Sequence, residues 1–280
     1  MEDWYPPKMK AAERLPWYAT HFNYVEVNST FYAVPSRSSV KNWSDITPDG
    51  FTFDIKLHKL LSRHSTKLAE LPVDLRSMAS ATKDRIDLTP KLEQAVAAQV
   101  LEATKPLQTA GKLGAYLLQL TPSFSPKHNK LEELEPQLEV FHGYKFGLEL
   151  RNRNWMDGDI SNDVLNFCEH HEIAIVMVDA PDSNNFMVMP DFTAVTSRLA
   201  YLRLHGRDEL AFTTGKTVAE RFNYEYSEDE LKAVAEKVET VAADADEVHV
   251  VFNNNARDLA PKAATLFNEI LQEMRLVPKQ

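Results

Sequence analysis

Short β-branched runs alternate with longer amphipathic ones along almost the whole chain, and that rhythm admits few folds. A strand, a helical crossover and a second strand build a parallel sheet with helices packed on it. The readable strands lie at 23–28, 51–56, 113–120, 145–150, 173–179, 199–205 and 247–253. In the second, Phe51, Phe53 and Ile55 recur at period two, whereas 113–120 is the continuous apolar run of a strand covered on both faces. Helices are predicted at 8–21, 36–46, 90–103, 126–141, 160–171, 227–243 and 261–273, with polar stretches at 57–89 and 206–222. Leu92, Val96 and Val100 mark one helical face, and Ser227 with Glu230 reads as a capping box. Pro126 and Pro261 each fall in a first turn, where a missing N–H costs nothing.

Seven such units, with no compositional break, repeat or low-complexity linker, predict one α/β domain over residues 1–280. The expected architecture is a TIM-type (β/α) barrel one strand short of eight, lacking the first strand that belongs before the 8–21 helix.

The charge balance narrows the partners. With 31 basic and 41 acidic residues the chain carries a net charge of −10, so nucleic acid is not an expected partner. No apolar run approaches the ~20 residues that span a bilayer, and the start at Glu2 and Asp3 does not resemble a signal peptide. Together with the single cysteine, Cys168, which excludes an internal disulfide, these features predict a cytoplasmic protein. Cys168 sits in a helical pattern with Val164 and Leu165, which reads as a small buried side chain. Dinucleotide, P-loop and nucleophile-elbow motifs are all missing, and no cofactor is expected.

Polar residues begin where the strands end. The strands finish in Glu26-Val27-Asn28, Asp54-Ile55-Lys56, Gln119, Glu149-Leu150-Arg151, Asp179, Arg203-Leu204-His205 and Asn253–Asn255. At period two, each pair places two polar groups on one side of its strand. One charged strand end means only that the chain has reached solvent; repeated pairs imply a ring of mixed charge, because a buried charge needs a partner. In parallel α/β folds ligands collect at this end of the sheet. Glu26, Lys56, Glu149 and His205 are the candidate acid/base groups, and Arg151 and Arg203 suit a carboxylate or phosphate. The loops add Arg153, Trp155, Arg207 and Arg221, with Trp155 read either as a stacking platform or as a cap over the barrel mouth.

The segment VEVNSTFYAVPSRSSVKNWSDITPDGFTFDIKLHKLLSRH resembles the signature of the YecE-like family, domain of unknown function 72. GLELRNRNW at 147–155, YLRLHGR at 201–207, RFNYEYSEDEL at 221–231 and VFNNNARDLAPKAA at 251–264 extend the resemblance from about residue 4 to the end. The family is similar to TIM barrels and carries no established reaction. The resemblance picks out Glu26, Asn28, Tyr32, Lys56, His64, Glu149, Arg151, Trp155, Arg203, His205, Arg207 and Asn254, most of them chosen already by strand-end position. Of these, Asn28, Tyr32, His64, Arg151, Trp155, Arg203, Arg207 and Asn254 are expected to bind substrate. The family's Gly/Ser-rich opening strand has no counterpart in MEDWYPP.

The expected function is an enzyme or ligand-binding barrel for a small polar compound, anionic or sugar-like, bearing phosphate or carboxylate. One alternative is an isomerase-like or endonuclease-IV-like barrel with a metal on Glu26, Glu149, Asp179 and His205. Against it stand the absence of His-x₃-His or Cys-x₂-Cys spacing and the competing charges of Lys56 and two arginines, so no metal site is expected. Another is a non-catalytic interaction protein.

Overall fold

A computed structural model describes residues 4–254 and 256–277; Glu2, Asp3 and Asn255 lie outside them. The fold is α/β of the (β/α)-barrel kind. Its main sheet contains β1 (Tyr24–Val27), β2 (Thr52–Lys56), β5 (Leu113–Gln119), β6 (Phe146–Glu149), β7 (Ala174–Asp179), β8 (Leu199–Leu204) and β9 (Glu247–Phe252), in chain order. Each lies within two residues of its sequence-predicted bounds. Among the described residues no strand precedes α1 (Ala11–Tyr18), as the unmatched opening predicts. The chain divides into two compact units, one of residues 9–148 and the other of the described residues within 1–8 and 149–280.

In the first unit, Phe51, Phe53 and Ile55 are buried with Val40 of α2 (Arg37–Asp45) and with Leu92, Val96 and Val100 of α3 (Pro90–Thr109). Ser36 caps α2 by accepting from Ser39 N at 3.1 Å, so that helix begins where an oxygen satisfies its free N–H. The β2–β5 ladder slips between Phe53 and Ile55. Buried Asp54 fills the gap, accepting from Ala115 N at 2.8 Å. Its strand-end carboxylate therefore helps to hold the sheet.

Three departures from the sequence reading fall here. The helix predicted at 90–103 continues through Pro106 to Thr109, because buried Leu107 and the Thr104–Tyr116 hydroxyl contact of 2.6 Å bind its last turns to the core. The stretch at 57–89 holds a small hairpin, β3 (Ser80–Thr82) and β4 (Arg85–Asp87), turning on Lys83 and Asp84 at φ 49° and 62°. The predicted 126–141 helix shrinks to a 3₁₀ turn at Leu131–Leu134 and α4 (Glu135–Val140). Ser125 O closes one turn with His128 N and Asn129 N, but Lys130 N then donates to Glu133 Oε1 at 2.8 Å, so that turn is not continued as a helix.

In the second unit, Met177, Leu202 and Leu204 face outward from β7 and β8. They pack against Leu231, Val234 and Val238 of α8 (Glu228–Ala242) and Phe267 and Ile270 of α9 (Leu259–Glu273). The expected capping box holds: Glu230 N donates to Ser227 Oγ, and Ser227 N to Glu230 Oε2 at 2.8 Å. Cys168 is fully buried on α5 (Asp159–His170), and burial pushes its thiol up to about 12. The polar stretch 206–222 contains two short helices, α6 (Glu209–Thr214) and α7 (Val218–Arg221), capped by Asp208 and Thr217. No described helix is long and apolar enough to cross a membrane.

Candidate functional site

Register decides which strand-end groups meet. In β7–β8–β9, Val178 pairs with Arg203 and Arg203 with Val251, while Asp179 pairs with Leu204 and Leu204 with Phe252. Paired residues of parallel neighbours project to one face. Arg203 and His205 therefore share one side of the sheet, and Asp179 lies with Leu204 on the other.

On the first side, four of the predicted residues converge. Arg203 donates to Glu149 Oε2, and both side chains are fully buried. His205 Nε2 lies 3.3 Å from Glu149 Oε1, and Arg151 Nη1 lies 3.5 Å from the same oxygen. Asn253 Nδ2 donates to His205 Nδ1 at 3.0 Å, which leaves the imidazole proton on Nε2, aimed at the carboxylate. Burial disfavours the charge on Glu149, but Arg203, the His205 hydrogen bond and Arg151 outweigh it and hold its carboxyl well below the usual range. Burial lowers His205 to about 4, against the pull of Glu149. Arg151 is shifted down by burial and by repulsion from Arg203 and Arg221, which Glu149 partly offsets. At neutral pH the cluster therefore holds an ionised carboxylate, a neutral imidazole and two guanidinium groups.

Rings cover it. Phe222 packs on His205 with centroids 5.1 Å apart, and Phe212 lies 5.7 Å from Phe222 and 5.6 Å from the Arg151 guanidinium carbon. Such walls exclude water and strengthen the charge interactions beneath them.

Three predicted residues sit elsewhere. Arg207 grips Asp179 through Nε and Nη2, the shortest contact being 2.6 Å, and Tyr226 Oη donates to the same carboxylate at 2.6 Å. Asn254, fully buried, donates to Tyr224 O at 2.9 Å on that opposite side. Trp155 is 4% exposed within a short 3₁₀ turn, so its ring is buried and does not line an open mouth. Asn253 is the residue that touches His205; choosing every second residue after Val251 would have found it.

Gly206 makes the crossing between the two sides possible. It sits at φ 91°, its N–H donates to Tyr226 Oη at 2.8 Å, and an added Cβ would come 2.4 Å from Tyr224 Cβ. Gly206→Ala is expected to destabilise the protein by roughly 2–3 kcal/mol in urea denaturation. A variant as stable as the parent would show that this turn is not under such constraint.

Within the first unit, the predicted residues Lys56, His64 and Tyr32 gather around Phe31, a ring that the sequence reading did not single out. Lys56 Nζ lies 5.0 Å from the Phe31 ring centroid, His64 meets that ring edge-on at 5.1 Å and Tyr32 at 5.2 Å. Thr30 Oγ1 reaches the Lys56 and Val27 carbonyl oxygens at 2.6 and 2.7 Å, tying the turn after β1 to the end of β2. Glu26 and Lys56 are buried, whereas Asn28 and Tyr32 are exposed. Among the described residues no three His, Cys, Asp or Glu side chains form a group able to hold a metal ion. Asp179, proposed with Glu149 and His205 as a ligand, is turned away from them.

A family model described as "Protein of unknown function DUF72" matches residues 1–280. UPF0759 protein YunF of Bacillus subtilis (strain 168) is 26% identical over 257 residues, which cover 90% of this chain and 84% of that protein. UPF0759 protein YecE of Escherichia coli (strain K12) is 30% identical over 136 residues, 48% of this chain and 40% of that protein. Among solved structures, a DUF72 family protein (EF0366) from Enterococcus faecalis V583 superposes with a TM-score of 0.81 at 25% identity, covering 100% of this chain and 95% of that one. A DUF72 family protein (TM1631) from Thermotoga maritima MSB8 gives 0.78 at 27% identity, over 97% and 95%.

Proposed function

Because this chain belongs to the DUF72 family, whose description carries no activity, we propose its function from the site itself: it binds a small polar anion on Arg151. The observation that carries this reading is the position of Arg151. Its side chain is 15% exposed, and among the described residues its sole carboxylate neighbour within 4 Å is Glu149, at 3.5 Å. That carboxylate is already held by Arg203. A guanidinium taken out of water with half a partner costs several kcal/mol, which a bound carboxylate or phosphate would recover through a two-pronged hydrogen bond.

The electrostatics assign roles to the neighbours. Glu149, held ionised, anchors the two arginines and is a poor proton donor. His205 is neutral when the site is empty; an anion beside it would raise its affinity for a proton and make it the group able to protonate what is bound. Proton transfer to a small anionic compound is thus the chemistry this site favours. Lys56 and Glu26 in the first unit are kept as candidate acid/base groups on strand-end position alone.

Arg151→Met tests the assignment. With inorganic phosphate or acetate near a hundred times its Kd, the parent protein is expected to gain about 3 kcal/mol of stability in a thermal-shift series. The variant is expected to gain almost none. An equal gain in Arg151→Met would remove Arg151 from the site.

A further inference from the structure

Arg221 ends α7 with its side chain exposed and, among the described residues, no carboxylate within 4 Å. Its place is nevertheless built. Arg221 Nε donates to Gly215 O at 2.7 Å, and Gly215 leaves room for its stem, since an added Cβ there would come 2.8 Å from Arg221 Cγ. The next residue, Phe222, packs on His205, and Phe222 meets Phe212, which lies against Arg151. The α6–α7 segment therefore carries a second guanidinium to the cover of the Glu149 cluster. Its charge repels that of Arg151.

Arg221 precedes Phe222, and Phe222 meets the Phe212 ring that Arg151 lies over, so one ligand at this cover can answer both guanidinium groups. A carboxylate offers two oxygens and is satisfied by one guanidinium fork. A phosphoryl dianion offers three and can accept from two forks at once. We infer that the compound bound at this site carries a dianionic phosphoryl group, held between Arg151 and Arg221. This rests on the reading of Arg151 as the anion anchor and adds its substrate class and a second binding residue. Phe212, against the Arg151 guanidinium, and Phe222 beside it then form the apolar wall next to the phosphoryl group.

Calorimetric titration of the full chain with inorganic phosphate and, separately, acetate tests it. The parent protein is expected to bind phosphate at least about tenfold more tightly than acetate, about 1.4 kcal/mol. Phosphate affinity is expected to rise between about pH 6 and about pH 8, as the dianion replaces the monoanion. Arg221→Met, a change at an exposed position, is expected to lose about tenfold or more in phosphate affinity and to leave acetate within about twofold. Equal affinity for the two anions, or phosphate binding unmoved by Arg221→Met, overturns the dianion inference and leaves the anchor standing. Unchanged binding of both anions by Arg151→Met overturns the anchor and the inference with it. Should Arg151→Met fail to fold, Arg221→Met alone decides the dianion question.

Discussion

Glu149→Leu is expected to cost the fold about 3–5 kcal/mol, the largest loss for any single substitution in the site. Glu149 and Arg203 are both fully buried, with the guanidinium hydrogen-bonded to the carboxylate. Leucine has a similar volume, so the loss would not come from a cavity. It would come from leaving Arg203 charged in the interior while removing the acceptor that His205 Nε2 and Arg151 also use. Arginine cannot escape by giving up its proton, as a buried lysine can. Glu149→Gln keeps an acceptor oxygen and loses only the charge, so it should fall between leucine and the parent. Urea denaturation of the three proteins checks this order. Equal stability of all three would mean that the carboxylate does not compensate the arginines.

The second large effect is on pH. Burial, reinforced by the Lys59 charge, lowers His58 to about 4, and burial likewise lowers His205 to about 4, both from an ordinary 6.5. Between these values the unfolded chain takes up protons that the native protein refuses. The stability these histidines confer is therefore complete above the unfolded value and is lost as pH falls through the window from 6.5 to about 4. Each should contribute a loss of about 2 kcal/mol between about pH 7 and about pH 5, close to 4 kcal/mol for the pair. The depressed carboxyl of Glu149 acts in the same direction below its unfolded value of 4.5. Unfolding free energies measured at the two pH values test the sum. A flat profile would contradict buried neutral imidazoles at these positions.

The fold was legible because its signals are periodic. Strands such as 113–120 and capped helices such as that after Ser227 write their positions in spacing that survives in any tertiary context. What escaped was set by contacts distant in sequence. Pro106 should have ended a helix, and only the packing of Leu107 and Thr104 carries it onward. The hairpin at 80–87 has three-residue strands and two non-glycine residues at positive φ, too short and too polar to register. In the site, Glu149, Arg151, Arg203 and His205 were readable because period two places Glu149 with Arg151 and Arg203 with His205. Asp179 and Asn254 were placed with them only because a single residue of register, which flips a side chain to the other face, is invisible without neighbouring strands. Phe31, in the turn after β1, and Phe212 and Phe222, on the helical segment after β8, escaped because an aromatic ring reads as core until the charge beneath it is seen.

The central claim is that an ionised Glu149 and a neutral His205 sit beside an arginine awaiting an anion. Nitrogen NMR of His205, recorded against pH with and without inorganic phosphate, tests it most directly. The predicted result is a neutral ring carrying its proton on Nε2, titrating near about 4 in the free protein and at clearly higher pH once phosphate is bound. A ring that titrates near its ordinary value, or that ignores saturating phosphate, would contradict it.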